Sequence, residues 1–246
     1  MFARSVLVTG SNRGIGLGLI KHLADKTEHL FAGCRSPAKA SELQILAKQH
    51  RNVVILELDV TKEKLVNDAV RNISAIVGRN GLNCVINNAG VIDKFQNIDM
   101  VSAETLMQLF ETNVVGPTML VKTCMPLLRE ASSLVSVDDM SVSRAAVLNI
   151  STTLASFEQN TAGKLYGYRM SKVALNMFSK NLSIDLKNDG ILVASIHPGW
   201  VKTDLGGPHA PVPVSESVKG IISVAEALSN VDSGSFHSFD RNEILW

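Results

Sequence analysis

No run in this chain approaches the roughly 18 consecutive apolar residues that a membrane span needs. The opening segment Met1-Phe2-Ala3-Arg4-Ser5-Val6-Leu7-Val8-Thr9-Gly10 lacks the basic region and small-residue cleavage site of a secretory signal. Neither membrane association nor export is expected, and a cytoplasmic location is. Cysteine is scarce: Cys34, Cys84 and Cys124 are far apart, with no CxxC pair. That pattern excludes a disulfide framework and, with no His/Cys cluster at ligand spacing, gives no metal site. Each thiol is flanked by apolar residues and is expected to be reduced and buried. An excess of one charge sign is also missing. Lys and Arg number 24 against 23 Asp and Glu, a net charge of +1. General attraction to nucleic acid or to an anionic membrane is therefore not expected, and any use of charge must be local. Linkers, repeats and low-complexity blocks are absent as well, so the 246 residues read as one domain, 1–246. What remains is a globular balance, 46% hydrophobic against 19% charged, enough for a sizeable core.

Apolar, β-rich runs alternate with helical patterns. Strands are expected at 2–9, 30–34, 53–58, 82–87, 145–150, 191–196 and 235–239. Helices are expected at 15–26, 38–50, 103–130, 166–187 and 215–229, with a further helix capped by Thr61 and favoured by Glu63 in its first turn. Two stretches, 132–143 and the proline-rich 206–213, read as loops. Strands apolar on both faces belong in a parallel sheet covered on both sides. Their alternation with helices predicts an α/β, doubly wound parallel sheet of the Rossmann type.

The first strand runs into Thr9-Gly10-Ser11-Asn12-Arg13-Gly14-Ile15-Gly16, a TGxxxGxG turn that opens a helix. Such a turn lets the chain reverse sharply and lets backbone approach a pyrophosphate, which the helix N-terminus attracts with free N–H groups and a positive dipole end. Gly10, Ser11, Asn12, Arg13, Gly14, Ile15 and Gly16 are therefore candidate dinucleotide contacts. NAD sites usually place an acid at the end of the second strand, where it accepts from the ribose 2′-OH. Here that strand ends Ala32-Gly33-Cys34-Arg35-Ser36, with no acid and an arginine following. Arg35 and Arg13 are expected to converge on a 2′-phosphate, so the expected cofactor is NADP(H) and the expected direction is reduction.

Tyr168-Arg169-Met170-Ser171-Lys172 places a phenol and an ammonium on one helix face. A nearby cation favours phenolate and lowers the phenol's pKa, preparing it to pass a proton to a carbonyl oxygen. Tyr166 is the decoy, because its partner four residues on is Met170. The YxxxK spacing is common by chance. In this chain it follows, in order, the glycine turn, Asn87-Asn88-Ala89-Gly90, Asn113 and Asn149-Ile150-Ser151-Thr152, and it precedes Pro198-Gly199. That ordered set resembles the short-chain dehydrogenase/reductase family over nearly the whole chain.

The resemblance implies a role for each matching residue. Gly10, Gly14 and Gly16 match the cofactor loop, Arg35 with Arg13 the NADP-selective position, and Asp59-Val60 the adenine contact. Asn88, Ala89 and Gly90 match a motif beside the cofactor ribose, and Pro198, Gly199, Val201 and Thr203 belong to the segment that holds the carboxamide. Tyr168 matches the general acid, Lys172 the ribose-binding residue that lowers its pKa, and Asn113 the support of a proton relay. The substrate-binding hydroxyl departs from the family's Ser-Ser pair: alignment on Asn149-Ile150 gives the position to Thr152, and Ser151 is the neighbouring alternative. A narrower resemblance, to the Sniffer-like and C-factor-like branch, rests on Asn160-Thr161-Ala162-Gly163, on Tyr166 to Lys172, and on the run from His197 to Gly207. That branch implies reduction of aldehydes, ketones and quinones, with Trp200 and Leu205 either at the pocket mouth or packed on the last strand. The helices from Ala103 and Tyr166 match the family's pairing faces, which implies a homodimer, although their apolar content serves equally to cover the sheet. Two rival readings remain: a cofactor-binding sensor or scaffold with little turnover, and an NAD-dependent dehydrogenase, which conflicts with Arg35.

Overall fold

The computed structural model describes residues 1–93, 97–135 and 139–246. Seven strands form one sheet: β1 (Ser5–Thr9), β2 (His29–Cys34), β3 (Val53–Glu57), β4 (Cys84–Asn87), β5 (Ala146–Ile150), β6 (Leu192–His197) and β7 (Ser235–Ser238). Their order is β3-β2-β1-β4-β5-β6-β7, and every pairing is parallel. Seven α-helices return the chain between strands: α1 (Gly14–Leu23), α2 (Ser41–Gln49), α3 (Glu63–Val77), α4 (Ala103–Phe110), α5 (Gly116–Ser133), α6 (Tyr166–Asp185) and α7 (Val214–Ala227). The doubly wound α/β architecture expected from the sequence is the one observed.

Strand alternation divides the core in two. Val6, Val8, Leu30, Ile86, Leu148 and Ala194 face one side, against Leu19, Ile20 and Leu23 of α1, Leu43 of α2 and Ile221 and Ile222 of α7. Leu7, Phe31, Val85, Val147 and Val193 face the other, against Val66, Val70 and Ile73 of α3 and Leu120, Cys124 and Leu128 of α5. In α3 the buried residues Val66, Ala69, Val70, Ile73 and Val77 recur at three- and four-residue spacing, which makes a single apolar stripe. All three cysteines are free and buried. Burial pushes the Cys34 and Cys84 thiols up, and that of Cys124 up to about 12.

Two local expectations fail. Thr61 does not cap α3: its hydroxyl donates to Asp59 Oδ1 at 2.8 Å, and Lys62 stands at the cap position. An Asx-type turn has taken the threonine that a helix cap would have used. The helix expected over 103–130 is broken by a wide π-turn at Glu111–Val115. Pro117, just inside α5, has no N–H to give the Asn113 carbonyl four residues back, so regular i→i+4 bonding cannot run through. The Gly116 N–H reaches back five residues to the Glu111 carbonyl instead. Part of the 132–143 loop lies outside the described residues.

A polar rung crosses the apolar sheet. Asn87, Asn149 and Ser195 are register partners on β4, β5 and β6. The Asn87 amide donates to Asn149 Oδ1 at 2.8 Å, and the Asn149 amide donates to the Ser179 hydroxyl of α6 at 2.8 Å. The Ser195 hydroxyl reaches the same Ser179 oxygen at 2.9 Å.

Candidate active site

β1 has β2 on one side and β4 on the other, so the chain leaves its carboxyl end and the carboxyl end of β4 in opposite directions. A crevice opens at such a switch point. Here it is a cleft of about 1360 Å³ along the carboxyl edge of the sheet. Gly10, Asn12, Arg13, Gly14, Ile15 and Gly16 line one end, with Arg35, Asp59 and Val60 beside them. Asn88, Ala89, Gly90, Ser151, Tyr168, Lys172, Pro198 and Thr203 continue the wall.

The glycine turn is shaped by backbone crowding. Gly10 has φ +66, and a Cβ on it would lie 3.0 Å from the Ala89 Cα. A Cβ on Gly16 would lie 2.2 Å from the Gly10 carbonyl oxygen and 2.6 Å from Asn88 Nδ2. No side chain larger than hydrogen fits there. The turn is tied to the Asn88-Ala89-Gly90 segment by Thr9, whose hydroxyl accepts from the backbone N–H groups of Asn88 at 3.0 Å and Ala89 at 2.9 Å. Asn88 answers by donating its amide to the Thr9 carbonyl at 2.8 Å. The N-terminus of α1 has no side-chain cap and no acid in its first turn. Its N–H groups are thus left to an anion. Arg35 is exposed on the cleft wall with no ion pair among the described residues. A backbone cradle for pyrophosphate with a free guanidinium beside it fits a dinucleotide that carries a 2′-phosphate.

Several predicted contacts are engaged within the protein itself, on or off the cleft wall. Ser11 is turned inward, its hydroxyl donating to the Val8 carbonyl at 2.7 Å, and it does not line the cleft. Arg13 does not converge with Arg35; its guanidinium pairs with Asp204, on the segment after β6. Gly199 packs on Phe239, where a Cβ would come within 2.8 Å of the ring, and Val201 is buried in a bridge to Val212. Trp200 is 56% exposed and donates its indole N–H to the Gly206 carbonyl, while Leu205 lines the cleft.

At the other end, α6 presents Tyr168 and Lys172 one turn apart, both buried and both on the cleft wall. Lys172 Nζ donates to the Ile150 carbonyl at 2.8 Å. Loss of hydration lowers its pKa to about 8. The expectation that Lys172 pulls the tyrosine down is not met in this chain by itself: burial dominates and pushes the Tyr168 hydroxyl above its ordinary value. Asn113 sits in the π-turn, almost fully buried. Its side chain accepts from the Val91 N–H at 2.9 Å and donates to the Val91 carbonyl at 2.9 Å and the Ser171 hydroxyl at 3.0 Å. A Cβ placed on Gly90 would lie 3.3 Å from Asn113 Oδ1 and 3.6 Å from Lys172 Nζ, so these three residues converge. The two candidate substrate hydroxyls differ. Ser151 lines the cleft, and its oxygen is buried with no hydrogen-bond partner among the described residues. Thr152 accepts from the Leu154 N–H at 3.2 Å and lies off the cleft wall.

The family model described as short chain dehydrogenase matches residues 4–211. The chain belongs to the short-chain dehydrogenase family. As a member of this family it is an oxidoreductase, and its similarities narrow further. The carbonyl reductase Sniffer of D. melanogaster is 41% identical, with a TM-score of 0.97 over 99% of this chain and 100% of that one. An NADPH-bound carbonyl reductase from chicken fatty liver is 38% identical, with a TM-score of 0.95 over 100% of both chains. C-signal of Myxococcus xanthus is 34% identical over 66% of this chain and 91% of its own. For a short-chain dehydrogenase reading, sequence reasoning missed the tie made by Thr9 and the side chain of Asp93, which also lines the cleft. Thr9 stood inside the quoted motif, but nothing in its spacing marked a partner some 80 residues away.

Proposed function

We propose that this protein reduces carbonyl compounds (aldehydes, ketones or quinones) to alcohols with NADPH. The observation that carries this reading is the placement of Tyr168 and Lys172, both buried, on the wall of a cleft that begins at the glycine turn. NADPH, when bound, supplies the hydride. The amides at the start of α1 and the turn from Gly10 to Gly16 hold the pyrophosphate, and Arg35 holds the 2′-phosphate. Asn88, Ala89, Gly90 and Lys172 border the ribose end, with Pro198 and Thr203 beyond. Carbonyl reduction needs a neutral phenol that gives up its proton only as charge grows on the carbonyl oxygen. Burial keeps Tyr168 in that neutral form. Lys172, one helical turn on, stabilises the phenolate that forms as the proton leaves. Asn113 clamps Val91 to Ser171 and so holds the strand-end loop against α6. The unpartnered Ser151 hydroxyl takes the second hydrogen bond to the substrate oxygen, a role that Thr152 can fill only by giving up its bond to Leu154.

The test is NADPH consumption with a panel of aromatic aldehydes, ketones and quinones, run beside NADH. Turnover with NADPH is expected, and Tyr168→Phe is expected to lower kcat/KM by about 10²–10⁴-fold. Ser151→Ala is expected to cost more activity than Thr152→Ala. Tight NADPH binding without turnover across the panel overturns the enzymatic reading in favour of a sensor or scaffold.

A further inference from the structure

Among the ionisable groups on the cleft wall that neither cofactor binding nor proton transfer employs, Asp93 is a buried one. Asp93 lies three residues past Gly90, on the segment that Asn113 pins through both backbone groups of Val91. It is only 8% exposed, it lines the cleft, and its Oδ1 is buried with no hydrogen-bond partner among the described residues. Where Asp93 meets Gly167 its neighbours are apolar, Leu106 and Leu109 of α4, although Thr105, Gln108 and Glu111 line the same cleft. The other carboxylate oxygen faces the first turn of α6: a Cβ on Gly167 would lie 3.2 Å from Asp93 Oδ2 and 2.5 Å from Leu109 Cδ1. Gly167 directly precedes Tyr168, and its lack of a side chain is what lets the carboxylate approach the helix.

An acceptor buried without a donor costs free energy. The positive end of α6 offsets part of that cost for a carboxylate at its first turn. It does not supply the hydrogen bond that Oδ1 lacks. A ligand in the cleft can supply it. Among donors, a hydroxyl is cheaper to desolvate than an ammonium, which suits these apolar neighbours.

Taking the carbonyl-reductase reading as its basis, we propose that Asp93 determines substrate specificity: it accepts a hydrogen bond from a hydroxyl on the substrate, so the preferred substrates are hydroxyl-bearing carbonyl compounds rather than plain hydrocarbon aldehydes or ketones. Because Gly167 directly precedes Tyr168 on α6, a hydroxyl carried on the same aromatic ring as the carbonyl is a compact probe of this contact.

The test compares 3- and 4-(hydroxymethyl)benzaldehyde with 3- and 4-methylbenzaldehyde, all with saturating NADPH. For at least one isomer the wild-type protein is expected to favour the hydroxyl compound about tenfold or more in kcat/KM, mainly through KM. Asp93→Leu is expected to bring that ratio to about one, and the near-isosteric Asp93→Asn to reduce it at least threefold. Because the readout is a ratio, a general loss of activity affects both arms alike, and Asp93→Asn provides the reading where Asp93→Leu does not fold. Reduction of both members of each pair at equal efficiency by the wild type, or a preference that survives both substitutions, overturns the proposal alone. No reduction of any of the four aldehydes overturns the carbonyl-reductase reading, and this proposal with it.

Discussion

The two ends of the cleft are built differently. At the glycine turn, backbone meets backbone: Gly10 and Gly16 sit where no Cβ fits, and the neighbouring segment is held by the Thr9 hydroxyl. Past the other end, off the cleft wall itself, the loop that leads into α6 leaves its side chains free. Phe157 is 73% exposed, Gly163 at φ +61 has nothing within 4 Å, and Lys164 and Leu165 both hold positive φ before α6 begins. One end accepts a fixed ligand through groups that every residue carries. The other is free to vary its side chains without disturbing the sheet. Function can therefore be conserved in chemistry and divergent in substrate within one cleft.

The same substitution made at both ends breaks this comparison most directly. Gly16→Ala drives a methyl into the Gly10 carbonyl, and NADPH affinity is expected to fall more than about 100-fold in a fluorescence titration. Gly163→Ala meets open space. It is expected to leave NADPH affinity unchanged and to lower unfolding free energy by about 1 kcal/mol, the cost of a left-handed alanine.

Lys172 stands where the two ends meet, and its burial gives a pH signature. Its pKa falls from an ordinary 10.5 to about 8 in the folded chain. Between these values the unfolded chain binds more protons than the folded one, so stability rises with pH across that window. Below about 8 the penalty is fully present, and above 10.5 it is gone. In cofactor-free protein, the difference in unfolding free energy between wild type and Lys172→Met is expected to change by up to about 3 kcal/mol over this range. Denaturant melts at successive pH values read it, and a flat difference removes the lysine as its source. The opposing contribution of Tyr168 at high pH is common to both proteins and cancels.

Smaller effects are expected at the rim. Arg35→Ala is expected to raise the KM for NADPH about 10- to 100-fold while leaving that for NADH nearly unchanged. An equal change for both cofactors shows that Arg35 does not meet the 2′-phosphate. The pair between Arg13 and Asp204 joins the two ends, but both partners are mostly exposed. Asp204→Asn is accordingly expected to alter NADPH dissociation less than about fivefold, with the change vanishing at high salt.

What could be read from the sequence depended on the range of the interaction. The pairing of Tyr168 with Lys172 follows from helical spacing, and the glycine turn from its place after β1, so both were legible. The doubly wound parallel sheet followed from alternating strands and helices, whereas the strand order did not. The π-turn was not legible, although Pro117 marked it, because apolar periodicity continues through the break. Arg13 was assigned to phosphate because its partner, Asp204, lies 191 positions away in sequence. Asp93 went unmarked for the same reason: its burial depends on α4 and α6 meeting over it. In the proposed function the preference for Ser151 over Thr152 turns on a single backbone N–H, that of Leu154, which no alignment of motifs contains.

The polar rung of Asn87, Asn149 and Ser195 has a consequence for how the chain finds its fold. Valine, leucine and isoleucine on both faces of a central strand are nearly interchangeable, so a slipped pairing loses little in apolar burial. The rung removes that degeneracy. If β5 slips by one residue, Asn149 turns to the opposite side of the sheet, and Asn87 and Ser179 lose the same partner at once, which leaves only the bond between Ser195 and Ser179. Three small polar side chains thus act as an alignment key for the centre of the sheet. Since Ser151 lies two residues beyond Asn149, the pairing that satisfies the rung also brings the hydroxyl proposed to bind substrate to the cleft as the strand assembles.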